Sequence, residues 1–194
     1  VADFRARRVS LAGRAGRHEA EVQADGLVAV AMGVPDFRPD ALPFDPAAAG
    51  ATSADGVYTM QIDGDAVDFG AVSVGNPHVV LEVADVTAAP VHEWGQRLEH
   101  HPAFPERTNV GFAQRVDADR IALRVWERGS GETRACGSGA CAAAAVLRAR
   151  GLAAERVTVT LPGGALTIAW PGAGQQLWMT GPATRVYEGT IAST

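Results

Sequence analysis

The chain has 194 residues, 47% of them hydrophobic and 20% charged, with a formal net charge of -5. That is apolar enough for a packed core and too little charged for a disordered chain. The negative balance argues against nucleic acid as a partner, no apolar run approaches the roughly 20 residues of a membrane span, and no signal-peptide pattern is present.

Residues 1–31 read as strands. The sequence opens at Val1 inside strand-like sequence, which leads us to expect a longer polypeptide upstream. Residues 8–11 form a short strand, and residues 19–22 and 27–31 flank Ala24-Asp25-Gly26, a hairpin turn. Residues 33–46 hold Pro35, Pro39, Pro43 and Pro46 and read as an extended crossing; residues 47–56 read as a loop. Residues 57–62 and 66–74 alternate as strands around Asp63-Gly64-Asp65. Gly75-Asn76-Pro77-His78 then leads into the apolar run 79–83. Asp85 or Thr87 is the expected cap of a helix with Val91, Trp94 and Leu98 on one face, ended by Pro102 and Pro105. Arg107-Thr108-Asn109 precedes a strand with Val110 and Phe112 inward. A second strand carries Ile121, Leu123 and Val125 on one face, with Glu127 and Arg128 at its end.

The next segment carries the chemistry. Cys136 stands before Gly137-Ser138-Gly139, which opens into a helix of small residues ending at Arg150, with Gly151 as its C-terminal cap. Residues 140–147 are apolar on every side, so this helix is expected to be buried all round. Helix N-termini present unpaired N–H groups and a partial positive charge, which favour a thiolate and bind a carboxylate. A base and an anion cradle thus stand side by side, as removal of a proton next to a carboxylate requires. Cys141, inside the helix, reads as core. Two cysteines are too few for a disulfide framework, and free thiols in a reducing compartment are expected. All 17 basic residues are arginine, so the chain itself has no lysine for a pyridoxal Schiff base. Strands follow at 156–161, 165–170, 177–180 and 185–191, with turns at Pro162-Gly163-Gly164 and Pro171-Gly172-Ala173-Gly174. The fold class is α+β: a strongly curved antiparallel sheet wrapped around a central buried helix.

Other residues are weaker signals taken singly. His78 could tune a neighbouring thiol, although a lone histidine is more often a satisfied polar residue. Asn76 and Asn109 sit in turns, where asparagine is common for backbone reasons. Arg128 suits paired hydrogen bonds to a carboxylate, yet it could equally be a solvated strand end. Gly137-Ser138-Gly139 is too short for a phosphate loop.

Taken together, the blocks resemble the diaminopimelate epimerase family. They are Gly75-Asn76-Pro77-His78, residues 105–112, the segment from Glu127 to Cys141, Met32-Gly33-x-Pro35-x-Phe37 and Met179-Thr180-Gly181-Pro182-Ala183. The resemblance implies a cofactor-independent enzyme that interconverts LL- and meso-diaminopimelate in lysine and peptidoglycan precursor synthesis. It implies two similar domains with the substrate between them and one cysteine from each facing the α-carbon, as thiolate base and thiol acid. Cys136 matches the cysteine of the second domain. Gly137 and Ser138 match residues that hold the substrate carboxylate. Asn76, Asn109, Glu127 and Arg128 match positions that hold the rest of the substrate, and His78 and Glu127 match residues that tune the cysteines. The family's first cysteine lies in a Cys-Gly-Asn-Gly motif that does not occur here. The expected division is therefore 1–31 as remnant strands of the first domain, 32–181 as the second domain, and 182–194 as a return strand. Diaminopimelate is the expected small-molecule partner, with a homodimer as the assembly and the cytoplasm as the location. The alternatives are a related isomerase of the same fold, such as a proline racemase, or a non-catalytic amino-acid-binding half.

Overall fold

Alternation along the strands decides the architecture, because successive residues serve opposite faces of a sheet. The computed structural model describes residues 8–13, 16–47, 50–54 and 56–190. Its strands are β1 (Arg8–Gly13), β2 (Gly16–Val22), β3 (Val28–Gly33), β4 (Thr52–Ala54), β5 (Val57–Ile62), β6 (Asp65–Ser73), β7 (Pro77–Glu82), β8 (Asn109–Arg115), β9 (Arg120–Glu127), β10 (Gly131–Thr133), β11 (Arg156–Leu161), β12 (Gly164–Ala169) and β13 (Leu177–Gly181); its helices are α1 (Val91–Glu99) and α2 (Gly137–Ala149). The strands join in the order β1-β2-β3-β13-β12-β11-β9-β8-β7-β6-β5-β4, and β10 folds back on β9.

The sheet curls around α2, which touches β6, β7, β8, β9, β11, β12 and β13. Every residue of α2 from 139 to 147 is buried. Val72, Val80, Ile121, Leu123, Val125, Val157, Val159 and Ile168 close over it. Alanine at 140 and at 142–145 lets the strands approach closely. Residues of opposite parity, such as Ala71, Val79, Leu81, Val110, Phe112 and Trp126, face a second core with Leu42, Phe44, Phe69 and Leu98 of α1. Strands β6 to β9 are thus covered on both sides, whereas β11 alternates buried and exposed residues. The two cores together hold most of the buried apolar surface, the main favourable term in folding.

Several expectations need correction. The sheet is not antiparallel throughout: β7 runs parallel to β8, and β9 to β11. Each of these joins spans a helix, α1 and α2 respectively, and parallel neighbours need a crossover of that length. Neither Asp85 nor Thr87 caps α1. Pro90 is its N-cap residue, and the Asp85 carboxylate is occupied by the Thr87 N–H and hydroxyl at 2.8 and 2.7 Å. The stretch read as a loop at 47–56 contains β4, paired with β5; residues 48, 49 and 55 of that stretch lie outside the described residues. Residues 185–190 carry no strand, and Val186 and Tyr187 are 88% and 86% exposed. Among the described residues no neighbouring strand satisfies their backbone groups, and a strand without a partner is not stable in water. The rest of that expected strand, residue 191, and residues 1–7 and 14–15 of the expected first-domain remnant lie outside the described residues. At the end of α2, Gly151 adopts φ 71°, and the Gly151 and Leu152 N–H groups donate to the Arg148 and Leu147 carbonyls at 2.9 Å each. This is the glycine cap expected from the sequence.

Candidate active site

The N-terminus of α2 is reached through a tight hairpin. β10 pairs back on β9, with Gly131 opposite Glu127 and Thr133 opposite Val125, and so returns the chain to the sheet just before Cys136. The β11–β12 turn supports this approach from below. Gly163 donates its N–H to the Arg134 carbonyl at 2.7 Å, and a Cβ at Gly163 would stand only 2.9 Å from that oxygen.

Cys136 occupies the N-cap position with extended backbone, φ -138° and ψ 106°. Its sulfur accepts the Gly139 N–H at 3.3 Å and lies 3.6 Å from Ser138 Oγ. The N–H groups of Gly137 and Ser138 have no hydrogen-bond partner among the described residues. Of the three donors expected to form an anion cradle, one is therefore spent on the sulfur and two remain.

His78 is fully buried at the start of β7. Its Nε2 is 3.1 Å from both Asn76 Oδ1 and Ser138 Oγ, and Asn76 Nδ2 donates to Ser138 Oγ at 3.3 Å. An amide oxygen only accepts, so we assign the ring proton to Nε2. Ser138 Oγ then accepts from both His78 and Asn76, which leaves its own proton for Cys136. His78 Nδ1, buried and without a partner among the described residues, is in this tautomer a lone pair rather than an orphan N–H. Burial, with a smaller contribution from the Arg128 charge, lowers the His78 pKa to about 3, so the ring is neutral.

Asn109 forms a clasp. Its Nδ2 donates to the Pro77 carbonyl at 2.8 Å, and its Oδ1 accepts the Arg128 N–H at 3.0 Å. It joins the start of β7 to the end of β9. The exposed Arg128 guanidinium donates through Nη1 to the Glu106 carbonyl at 2.8 Å. Glu127 is half-buried and accepts the Thr133 hydroxyl through Oε1.

The helix-end argument for a ready thiolate does not hold. Burial raises the Cys136 pKa above its ordinary value. Bonds from Ser138 and Gly139 lower it in part, and Glu127 raises it further. The resting group is the thiol. Cys141, inside α2 and fully buried, is pushed up by burial as well. A cleft of about 890 Å³ opens beside Asn76 and Ser138, with Met32, His18, Gln176 and Trp178 on its other walls.

The structure therefore gathers Cys136, Ser138, Asn76 and His78 into one hydrogen-bonded cluster, with Gly137 between the thiol and Ser138 in the chain and Glu127 beside the thiol. Asn109 and Arg128 form a second cluster at the ends of β7 and β9. Thr133 carries no signal of its role in the sequence: it lies opposite Val125, and its hydroxyl reaches Glu127 diagonally across the hairpin. Among the described residues, no helix is long and apolar enough to cross a membrane.

A diaminopimelate epimerase of Pseudomonas syringae pv. syringae is 52% identical over 178 residues, 92% of this chain and 63% of that protein. One of Azotobacter vinelandii is 51% identical over 185 residues, 95% of this chain and 65% of that protein. The chain thus spans a little under two thirds of the length of these relatives. In three dimensions it resembles the crystal structure of a hydroxyproline epimerase from Agrobacterium vitis, with a TM-score of 0.62 at 20% identity over 90% of this chain and 57% of that one. That likeness concerns the fold alone. Residues 70–186, from the second half of β6 past β13, match the family described as Diaminopimelate epimerase, and the chain belongs to that family.

Proposed function

We propose that this chain carries one half of a site that epimerises diaminopimelate, with residues 32–181 as the domain that supplies it. Cys136 transfers the α-proton, and the N–H groups of Gly137 and Ser138 hold the α-carboxylate. Glu127, Arg128, Asn76 and Asn109 shape the remainder of the site, the last two chiefly by fixing the backbone and Ser138. The observation that carries this reading is the position of Cys136: a thiol at the mouth of a buried helix, next to two N–H donors that have no partner among the described residues. The α-hydrogen of an amino acid is very weakly acidic, and oriented N–H dipoles in a closed site stabilise the charge that develops when it leaves. His78 acts through Ser138, not directly on the sulfur, because Ser138 lies between them.

Inversion needs a proton removed on one face and returned on the other. Cys141 is enclosed in α2 and cannot supply the second group. The proposal therefore gives Cys136 one of the two transfers and no more. A second reading, an amino-acid-binding half without turnover, is favoured by that same observation. Incubation of the 194-residue chain with LL-diaminopimelate in D₂O separates the two. Deuterium uptake at the α-carbon that Cys136→Ala abolishes supports the catalytic reading. Binding with no uptake supports the second reading, and neither binding nor uptake sinks both. A cytoplasmic homodimer belongs to the same proposal.

A further inference from the structure

Glu99 is the last residue of α1 and lies on its buried stripe with Val91, Gly95 and Leu98. Only 2% of it is exposed. A carboxylate there is costly unless its oxygens are bonded. Both are. Oε2 accepts the Trp126 Nε1–H at 2.6 Å, and Oε1 accepts the Gly129 N–H at 2.8 Å. Arg107 Nη1 stands 3.6 Å from Oε1, and His100 Nδ1 stands 4.0 Å from Oε2. Burial opposes the charge, but the Trp126 and Gly129 bonds and the two neighbouring bases outweigh it and hold the carboxyl below its ordinary range.

The two bonded residues bracket Glu127 and Arg128. They fix the turn of the β9–β10 hairpin, where Gly129 has φ 78° and Gly131 has φ 81°. Arg107 lies two residues before Asn109, at the entry to β8, the neighbour of β9 in the sheet, and holds a left-handed φ of 61° that is uncommon for a non-glycine residue. Packing of the α1 stripe would be served as well by an apolar side chain. A buried acid whose two oxygens are both spent on the hairpin has a different use.

We propose that Glu99 is a positioning residue. Its carboxylate pins the β9–β10 turn through Trp126 and Gly129, and so holds Glu127 against Cys136 and Arg128 beside Asn109. The importance of this for turnover rests on the function proposed above, but the positioning itself can be read without substrate. Cys136 is faced by two titratable groups, Glu127 and Cys141, and Glu127 raises its pKa. Loosening the turn removes that push.

The test is Glu99→Gln in the 194-residue chain. The amide keeps the shape but turns an N–H₂ group toward one of the two donors. The pH dependence of iodoacetamide alkylation at Cys136 is followed by peptide mapping, with thermal unfolding and diaminopimelate binding measured alongside. The midpoint is expected to move to lower pH, with roughly three- to tenfold faster labelling at neutral pH. A residue that serves packing alone lowers the melting temperature and leaves the midpoint in place, and that result in folded protein overturns the proposal. If Glu99→Gln does not fold, Trp126→Phe keeps the carboxylate and removes one of its donors. The same direction of shift is then expected, and an unmoved midpoint overturns the proposal there too. A shifted midpoint in a protein whose wild type does not bind diaminopimelate supports the positioning role and counts against the functional reading.

Discussion

The hydroxyl oxygen of Ser138 lies 3.6 Å from the sulfur of Cys136. Because that oxygen accepts from His78 and Asn76, its proton is directed at the thiol. Burial holds Cys136 in the thiol form, and the bonds from Ser138 and Gly139 are the forces that oppose it. The serine is thus a control on the proton affinity of the thiol.

Ser138→Ala should therefore raise the Cys136 pKa further. A hydrogen bond to a charged group contributes about 1.5–3 kcal/mol, but at this separation the lower end applies, so alkylation near pH 8 should slow roughly tenfold. Labelling as fast as wild type would show that the serine proton points elsewhere.

His78 has its own pH signature. Its pKa falls from 6.5 to about 3 on folding, chiefly through burial. The unfolded chain therefore binds a proton between these values that the folded chain refuses. The contribution is complete above pH 6.5 and is lost as the pH falls from there toward 3. Wild type should lose on the order of 3 kcal/mol more stability than His78→Gln between pH 7 and pH 4, from urea titrations at each pH. Parallel losses in the two proteins would mean that the ring is not held neutral.

The helix α2 was legible because its pattern is extreme: glycines at the entry, small apolar residues on every side, and a glycine at the exit. The strand with Ile121, Leu123 and Val125 was equally plain from its alternation. β10 was not, since three residues beginning with a glycine carry no period to read. The parallel joins were hidden because pairing direction follows from how crossovers close in space, and no local residue records it. The thiolate expectation failed for a related reason. The helix end is visible in the sequence, but the burial of Cys136 depends on distant strands, and it dominates. Glu99 left a trace that was passed over: it stands eight residues after Val91, on the apolar stripe of α1.

The glycines at the helix mouth are set by contact. A Cβ on Gly139 would lie 3.0 Å from Val125 Cγ2 and 3.2 Å from Cys136 Sγ. Neither neighbour can retreat far, since Val125 is packed in the core and the sulfur bonds the same residue's N–H. Gly139→Ala should cost about 1–3 kcal/mol and change Cys136 reactivity. Gly137→Ala meets the flexible Met179 sulfur at 2.9 Å, so it should cost less. Equal losses in denaturant titrations would remove this distinction.

Arg128 tests the distal part of the proposed site. One guanidinium nitrogen is committed to the Glu106 carbonyl, and the backbone N–H is held by Asn109. On the proposed function the remaining donors of the planar fork take a carboxylate of the substrate, and an ammonium cannot match a bidentate geometry. Arg128→Lys keeps the charge and the backbone clasp. It should weaken diaminopimelate binding by roughly 1.5–3 kcal/mol, measured calorimetrically on the 194-residue chain, while alanine, which lacks the distal amino-acid end, loses little. The pair of ligands makes the result specific. Equal weakening for both would place the effect at the α-carboxylate end or in the fold, and unchanged diaminopimelate binding would show that Arg128 does not recognise it.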